Sequence, residues 1–178
     1  MQSILRTIAT LIDGISESLG RAVSWLTTVL VIIFCYDVIM RYLFNNTAVW
    51  ITELEWHLFS LIFLLGAAFA YRHDKHVRVD VFYTKFSAKG KAWVNLIGIL
   101  VFLIPWCLVV IRASYRYANY SLKLMEGSPN PGGLPYRFII KFSITVGIVL
   151  LLLQAISELC KALISLTSKT PNTNPSAQ

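Results

Sequence analysis

Four apolar stretches, Ala22 to Leu43, Leu54 to Tyr71, Ala92 to Ile111 and Phe138 to Leu159, dominate this 178-residue chain. A hydrocarbon core of ~30 Å needs ~20 helical residues at a rise of about 1.5 Å each, and each stretch is about that long. The sequence therefore predicts an all-α integral membrane protein with four transmembrane helices. A composition of 56% hydrophobic and 14% charged residues agrees, since soluble domains carry about a quarter charged residues. The connection from Arg112 to Arg137 and the tail from Cys160 onward are both too short to form a self-supporting core. No water-soluble catalytic domain is expected, and the chain does not read as an enzyme.

Ahead of the first span, Ile4, Ile8, Leu11, Ile15 and Leu19 recur at helical spacing between polar residues. This excludes a cleavable signal, which needs a continuous apolar block, and predicts an amphipathic helix over 1–21. Its apolar stripe is suited to the membrane surface or to a partner. The four-span domain is placed at 22–164. The tail 165–178, rich in Ser, Thr, Asn and Pro, is expected to be disordered.

Orientation follows from the cations, because positively charged loops resist translocation. With the N-terminus in the cytoplasm, Arg6, Arg21, Arg72, Lys75, Arg78, Lys85, Lys89, Lys91, Lys161 and Lys169 lie inside. Arg41, Arg112, Arg116, Lys123, Arg137 and Lys141 then lie outside. Ten against six places both termini in the cytoplasm. The net charge of +7 is accounted for by anionic lipid headgroups, with no need for nucleic acid.

Charge inside a span is costly, at ~2.5–3.5 kcal/mol per residue, so each instance needs a partner. Asp37 and Arg41, four apart with the acid first, supply each other, either as a local pair or facing a neighbouring subunit. Thr52 and Glu55 have the spacing of a capping box at the start of the second helix. Trp50 belongs at headgroup depth, and Glu53, His57 and Ser60 make a polar stripe that needs cover from the bundle or from another protein. No metal or haem site is expected: Glu53 and Glu55 diverge on a helix, and His73 and His76 lie roughly 25 Å from His57 at helical rise. Cys35, Cys107 and Cys160 are expected to be small core residues.

Gly66 with Ala70, Ser143 with Gly147, and Ser24 with Thr28 are small residues four apart, a pattern that lets membrane helices approach closely. Pro105 should kink the third span. In the basic loop, Val79, Phe82, Tyr83 and Phe86 oppose Arg78, Lys85 and Lys89, which predicts an interfacial helix leading to Trp93. Beyond the third span, Tyr115, Tyr117 and Tyr120 continue the helix into the headgroups. Gly127 to Pro135 then forces a stiff turn. The turn is either a tight return or, through Asn130, Gly132, Gly133, Pro135 and Arg137, a contact point for something outside.

Several of these pieces together resemble one family. Arg41-Tyr42, Phe44-Asn45-Asn46, Trp50, Glu53, Phe63 to Ala68 and His76-Val77-Arg78-Val79-Asp80, followed by Gly132 to Arg137, Ile140-Lys141 and the Leu-rich run to Gln154, are similar to the small membrane subunit of tripartite ATP-independent periplasmic (TRAP) transporters. The resemblance covers roughly residues 20 to 160. It implies a multi-pass protein of the bacterial inner membrane, without a cofactor or substrate site of its own. The implied partners are a large multi-span permease subunit that moves an organic acid with sodium, and a periplasmic binding protein that delivers the acid. The polar part of the contact with the large subunit is then expected at Asp37, Arg41, Trp50, Glu53 and His57, with close packing at Gly66. Two rival classes are a respiratory membrane anchor, with or without haem, and a small proton-coupled exporter using Glu53 or Glu55.

Overall fold

The computed structural model describes residues 2–73, 86 and 88–167. Helix α1 spans Gln2–Leu43, α2 spans Val49–Arg72, and the third span is built from α3, Ala88–Ile97, and α4, Ile104–Lys123, joined by a π-helical turn at Gly98–Leu103. Helix α5 runs from Phe138 to Thr167. Among the described residues, four helical segments are long and apolar enough to cross a membrane, and each contains one of the four apolar stretches. No strand occurs among the described residues.

The N-terminal amphipathic helix and the first span, separate in the sequence reading, are one continuous helix. Nothing between them breaks the pattern, since no proline intervenes and Gly14 and Gly20 are tolerated within a helix. Ile4, Leu11 and Ile15 are exposed along its outer side. The expected interfacial helix of the basic loop, with Arg78, Phe82, Tyr83 and Lys85, lies outside the described residues, as does nearly all of the tail. Of the remaining anchor residues, Phe86 and Trp93 are exposed, and Lys89 is placed only by its backbone within α3.

Each connection is set by local chemistry. Asn45 takes a left-handed conformation, φ 49°, and the Asn46 N–H returns to the Met40 carbonyl, closing α1 within a few residues of α2. Helix α4 ends in a Schellman motif: Met125, φ 47°, donates to Leu122 O, and the Glu126 N–H donates to Ser121 O. Pro105 acts one turn earlier than a simple kink. The ring removes an N–H that a regular helix would use, and the backbone widens into the π-turn, with the Ile104 N–H reaching Ile99 O.

Helix α5 is the hub. It packs against α1, α2 and the third span, while α1 also packs along α2. The contacts are close because small residues allow it. A Cβ on Gly147 would stand 2.7 Å from the Leu64 carbonyl oxygen, so α2 and α5 meet backbone to side-chain face at that point. Gly66 faces Val23 across the α1–α2 seam. Cys107, Ile148 and Leu151 form the apolar centre between α4 and α5. Cys107 and Cys160 are buried as expected, whereas Cys35 is exposed on the outward side of α1.

Candidate functional site

The bundle has two ends: a loop end, carrying the 44–48 and 124–137 connections, and a termini end, carrying Arg72 and Lys161. At the loop end the sequence places Glu53 in a partner contact, but the structure turns it inward. Glu53 is 4% exposed and accepts hydrogen bonds from Ser128 Oγ, the Leu134 N–H at 2.7 Å and Asn130 Nδ2 at 3.2 Å. The loop is shaped for this carboxylate. Gly133 lies so close that a Cβ would sit 2.7 Å from Glu53 Oε2, and Gly132 supplies the left-handed turn at φ 76°. The 127–135 turn is therefore stiff because it is folded around a side chain of α2. Asn130, Gly132 and Pro135 stay exposed on its outer surface, Gly133 is half-buried, and so is Arg137.

A second bond set ties the same loop to α5. Glu126 accepts from Ser121 Oγ at 2.6 Å and pairs with Lys141 Nζ, which also sits 4.1 Å above the Tyr117 ring. The hydrogen bonds from Lys141 and Ser121 hold the Glu126 carboxyl below its ordinary range.

Asp37 lies 3% exposed between α1 and its neighbours, with its Oδ2 bound by Arg41, whose side chain is half exposed. The capping box at Thr52 and Glu55 is not formed. Helix α2 begins at Val49 behind Ala48, so Glu55 falls in the second turn, where the backbone donors are already used. His57 donates through Nδ1 to the Glu53 carbonyl, and Ser60 Oγ donates to Trp56 O at 2.6 Å. The polar stripe is thus largely satisfied within its own helix and loop. Among the expected interface residues, Trp50 and Arg41 point outward, while Asp37, Glu53 and Gly66 are taken up internally.

The sequence reading missed the strongest polar cluster, at the termini end. Asp13 of α1 pairs with Lys161 at 2.7 Å and accepts from Ser157 Oγ at 2.7 Å and Gln154 Nε2 at 3.0 Å. Ser16 donates to Gln154 Oε1 at 2.6 Å, and Arg72 of α2 reaches both Asp13 O and Glu17 Oε2. Three helices are locked together by these bonds. The available signal was the spacing of Asp13, Ser16, Glu17 and Gly20, a polar face that in a membrane bundle points inward.

The three small-residue pairs divide. Gly66 with Ala70 and Ser143 with Gly147 serve contacts inside the chain, whereas Ser24 and Thr28 are exposed on α1 beside Trp25. A groove of about 550 Å³ between α2 and α5 is walled by Trp56, Phe59, Phe63 and Ile144, with Arg137 and Lys141 at its loop end. Among the described residues no group of three His, Cys, Asp or Glu side chains converges on a metal position.

This architecture of four spans, polar clasps at both ends and outward helix faces defines a multi-pass membrane protein. The DctQ component of the tripartite ATP-independent periplasmic transporters matches residues 30–164, and the chain belongs to that family, as its small permease subunit. It is 29% identical over 146 residues to a Haemophilus influenzae protein named as a TRAP transporter small permease, covering 82% of this chain and 86% of that one. It is 26% identical over 116 residues to the C4-dicarboxylate TRAP transporter small permease protein DctQ of Vibrio cholerae, covering 65% of this chain and 48% of that one. Membership implies association with other components of the same transporter.

Proposed function

We propose that this subunit is a scaffold that braces the large multi-span permease subunit, fixing its depth in the membrane while an organic acid delivered by a periplasmic binding protein is taken up. The loop end then faces the periplasm and both termini the cytoplasm, in keeping with the distribution of Lys and Arg. The dicarboxylate named for the Vibrio relative supports an organic acid as cargo. Anionic lipids at the basic loop complete the anchoring.

The observation that carries this reading is the exposed Ser24–Thr28 face. In lipid an exposed apolar side chain says nothing about partners, because acyl chains solvate it as well as another helix would. Exposed small polar residues at close-packing spacing in a span are different: they give a second backbone room to approach. The other two such pairs are used within the chain, which leaves this face, with Trp25 and Cys35 on the same outward side, for another polypeptide. Trp50 and Arg41 would extend the contact to the loop end, and the outer surface around Asn130, Gly132 and Pro135 would receive the binding protein.

Ser24→Leu and Thr28→Leu together should abolish co-purification with the large subunit from mild detergent while leaving the melting temperature of the isolated chain unchanged. Full complex yield from the double variant would sink the assignment of that face. Crosslinking from Asn130→Cys to the binding protein tests the second contact.

A further inference from the structure

The groove of about 550 Å³ between α2 and α5 lies on the loop side of the point where Leu64 and Gly147 bring the two helices together. Trp56, Phe59 and Phe63 recur along one face of α2 and form one wall, and Ile140 and Ile144 of α5 form the other. At helical rise, Trp56 to Phe63 and Arg137 to Ile144 each cover about 10 Å. Phe59 and Phe63 are 61% and 70% exposed, so the groove opens sideways to the membrane.

The groove is apolar along its length and cationic at its loop end. Arg137 stands immediately before α5, fixed by its backbone N–H on the Glu126 carbonyl at 2.8 Å. The other cation, Lys141, is taken by Glu126. Among the described residues the Arg137 guanidinium makes no ion pair or hydrogen bond. The two acids on which its charge acts, Glu53 and Glu126, find their hydrogen bonds elsewhere. Glu53 is served by Ser128, Asn130 and Leu134, and Glu126 by Ser121 and Lys141. A half-buried guanidinium with unspent N–H donors is suited to a phosphate, which it can grip through two of them at once.

A helix from another chain fits this groove poorly. Close approach between membrane helices needs small residues, and large aromatic side chains stand here, while Gly147 is already used within the chain. An acyl chain is thin and flexible enough to fill the space between such walls. The order of the groove has the same sense, with the cation at headgroup depth and the apolar walls running toward the bilayer centre. We propose that the groove holds a phospholipid of the loop-side leaflet, one acyl chain lying between α2 and α5 and its phosphate on Arg137. The site is built from this chain's own helices and does not rest on the scaffold reading.

Native mass spectrometry of the purified full-length protein, stripped of lipid in detergent and then titrated, tests this. The probes are a phospholipid and a diacylglycerol with the same acyl chains, which lacks the phosphate. The wild type should retain one phospholipid per chain and prefer it to the diacylglycerol by about tenfold or more. Arg137→Gln should bring that preference close to unity. Ser60→Phe, which fills the groove from α2, should lose both probes, whereas Val109→Phe, on an exposed position of α4 outside the groove, should bind as the wild type does. A wild type that retains no phospholipid, an Arg137→Gln that keeps the preference, or a Ser60→Phe with unchanged binding would overturn the site. So would a crosslink from Phe59→Cys to another polypeptide in native membranes, which would give the groove to a protein partner.

Discussion

Gly147→Ala isolates the contact on which the bundle turns. The new Cβ would lie 2.7 Å from the Leu64 carbonyl oxygen and 3.0 Å from both Leu64 C and Leu64 Cβ. A helical carbonyl is held by its own hydrogen bond and cannot swing aside, so α2 as a whole must retreat by about 0.7 Å to restore ordinary contact. Overpacking of this kind costs about 1–3 kcal/mol. Replacing glycine by alanine within a helix returns about 1 kcal/mol, so the net expectation is a loss of up to about 2 kcal/mol. Gly14→Ala is the matched control: it is exposed with nothing within 4 Å of the added carbon, and it should gain the propensity term alone. Two chemically identical changes should therefore move stability in opposite directions, by about 1–3 kcal/mol between them. Thermal melting of the purified protein in mild detergent reads this, with about 2–4 °C per kcal/mol for a chain of this size. Equal melting temperatures, or Gly147→Ala above Gly14→Ala, would refute the close approach of α2 and α5.

Glu53→Gln keeps one acceptor but faces an amide toward donors of the 127–135 loop, so that loop should be cut faster in limited proteolysis; unchanged cleavage kinetics would show the carboxylate is not its fastener. Gln154→Leu strands Ser16 and part of the Asp13 shell and should cost about 1–3 kcal/mol per unsatisfied group, seen as a lower melting temperature. Glu126, held below its ordinary range by Lys141 and Ser121, contributes stability that is present above its unfolded pKa and lost as pH falls through the lower folded value. Acidification should thus loosen the 124–137 connection, and Glu126→Gln should remove that part of the acid sensitivity. A variant whose acid profile matches the wild type would show that Glu126 does not contribute.

The spans were legible because length and hydropathy answer directly to bilayer thickness, and the stiffness of 127–135 because its prolines and glycines exclude helix. The residues that hold the bundle were harder to read. Glu53 looks like a lone charge entering the membrane, since its partners Ser128, Asn130 and Leu134 arrive from a loop far along the chain. Sequence spacing carries no information about such return contacts. Asp13 was hidden for another reason. At the N-terminus, the helical spacing of Ile4, Leu11 and Ile15 drew attention to an apolar stripe suited to the membrane surface or a partner, and the polar residues on the other side were given no role. In this bundle the apolar face is outward and the polar face is clasped by Gln154, Ser157 and Lys161. Glu55 was drawn to a capping role by local spacing, and the earlier start of α2 removed the donors it would have served.

These placements bear on what a scaffold requires. Helix α1 is pinned near its start, where Asp13, Ser16 and Glu17 engage α5 and α2, whereas near its end the buried Asp37 pairs with Arg41 of the same helix. Beyond that clasp it presents Ser24 and Thr28 outward. A helix held by several hydrogen bonds and ion pairs to two others cannot slide or rotate without breaking them together, whereas a face held only by apolar contact in lipid could do so at small cost. Loosening that clasp should therefore be felt at the other chain. Asp13→Asn, which weakens the pair with Lys161 and lies well away from Ser24, should lower complex yield with the large subunit in proportion to its loss of melting temperature. Ser24→Leu with Thr28→Leu should lower yield with no such loss. If Asp13→Asn melts lower yet assembles fully, the partner-facing surface does not depend on the rigidity of α1, and bracing through this helix is the wrong mechanism.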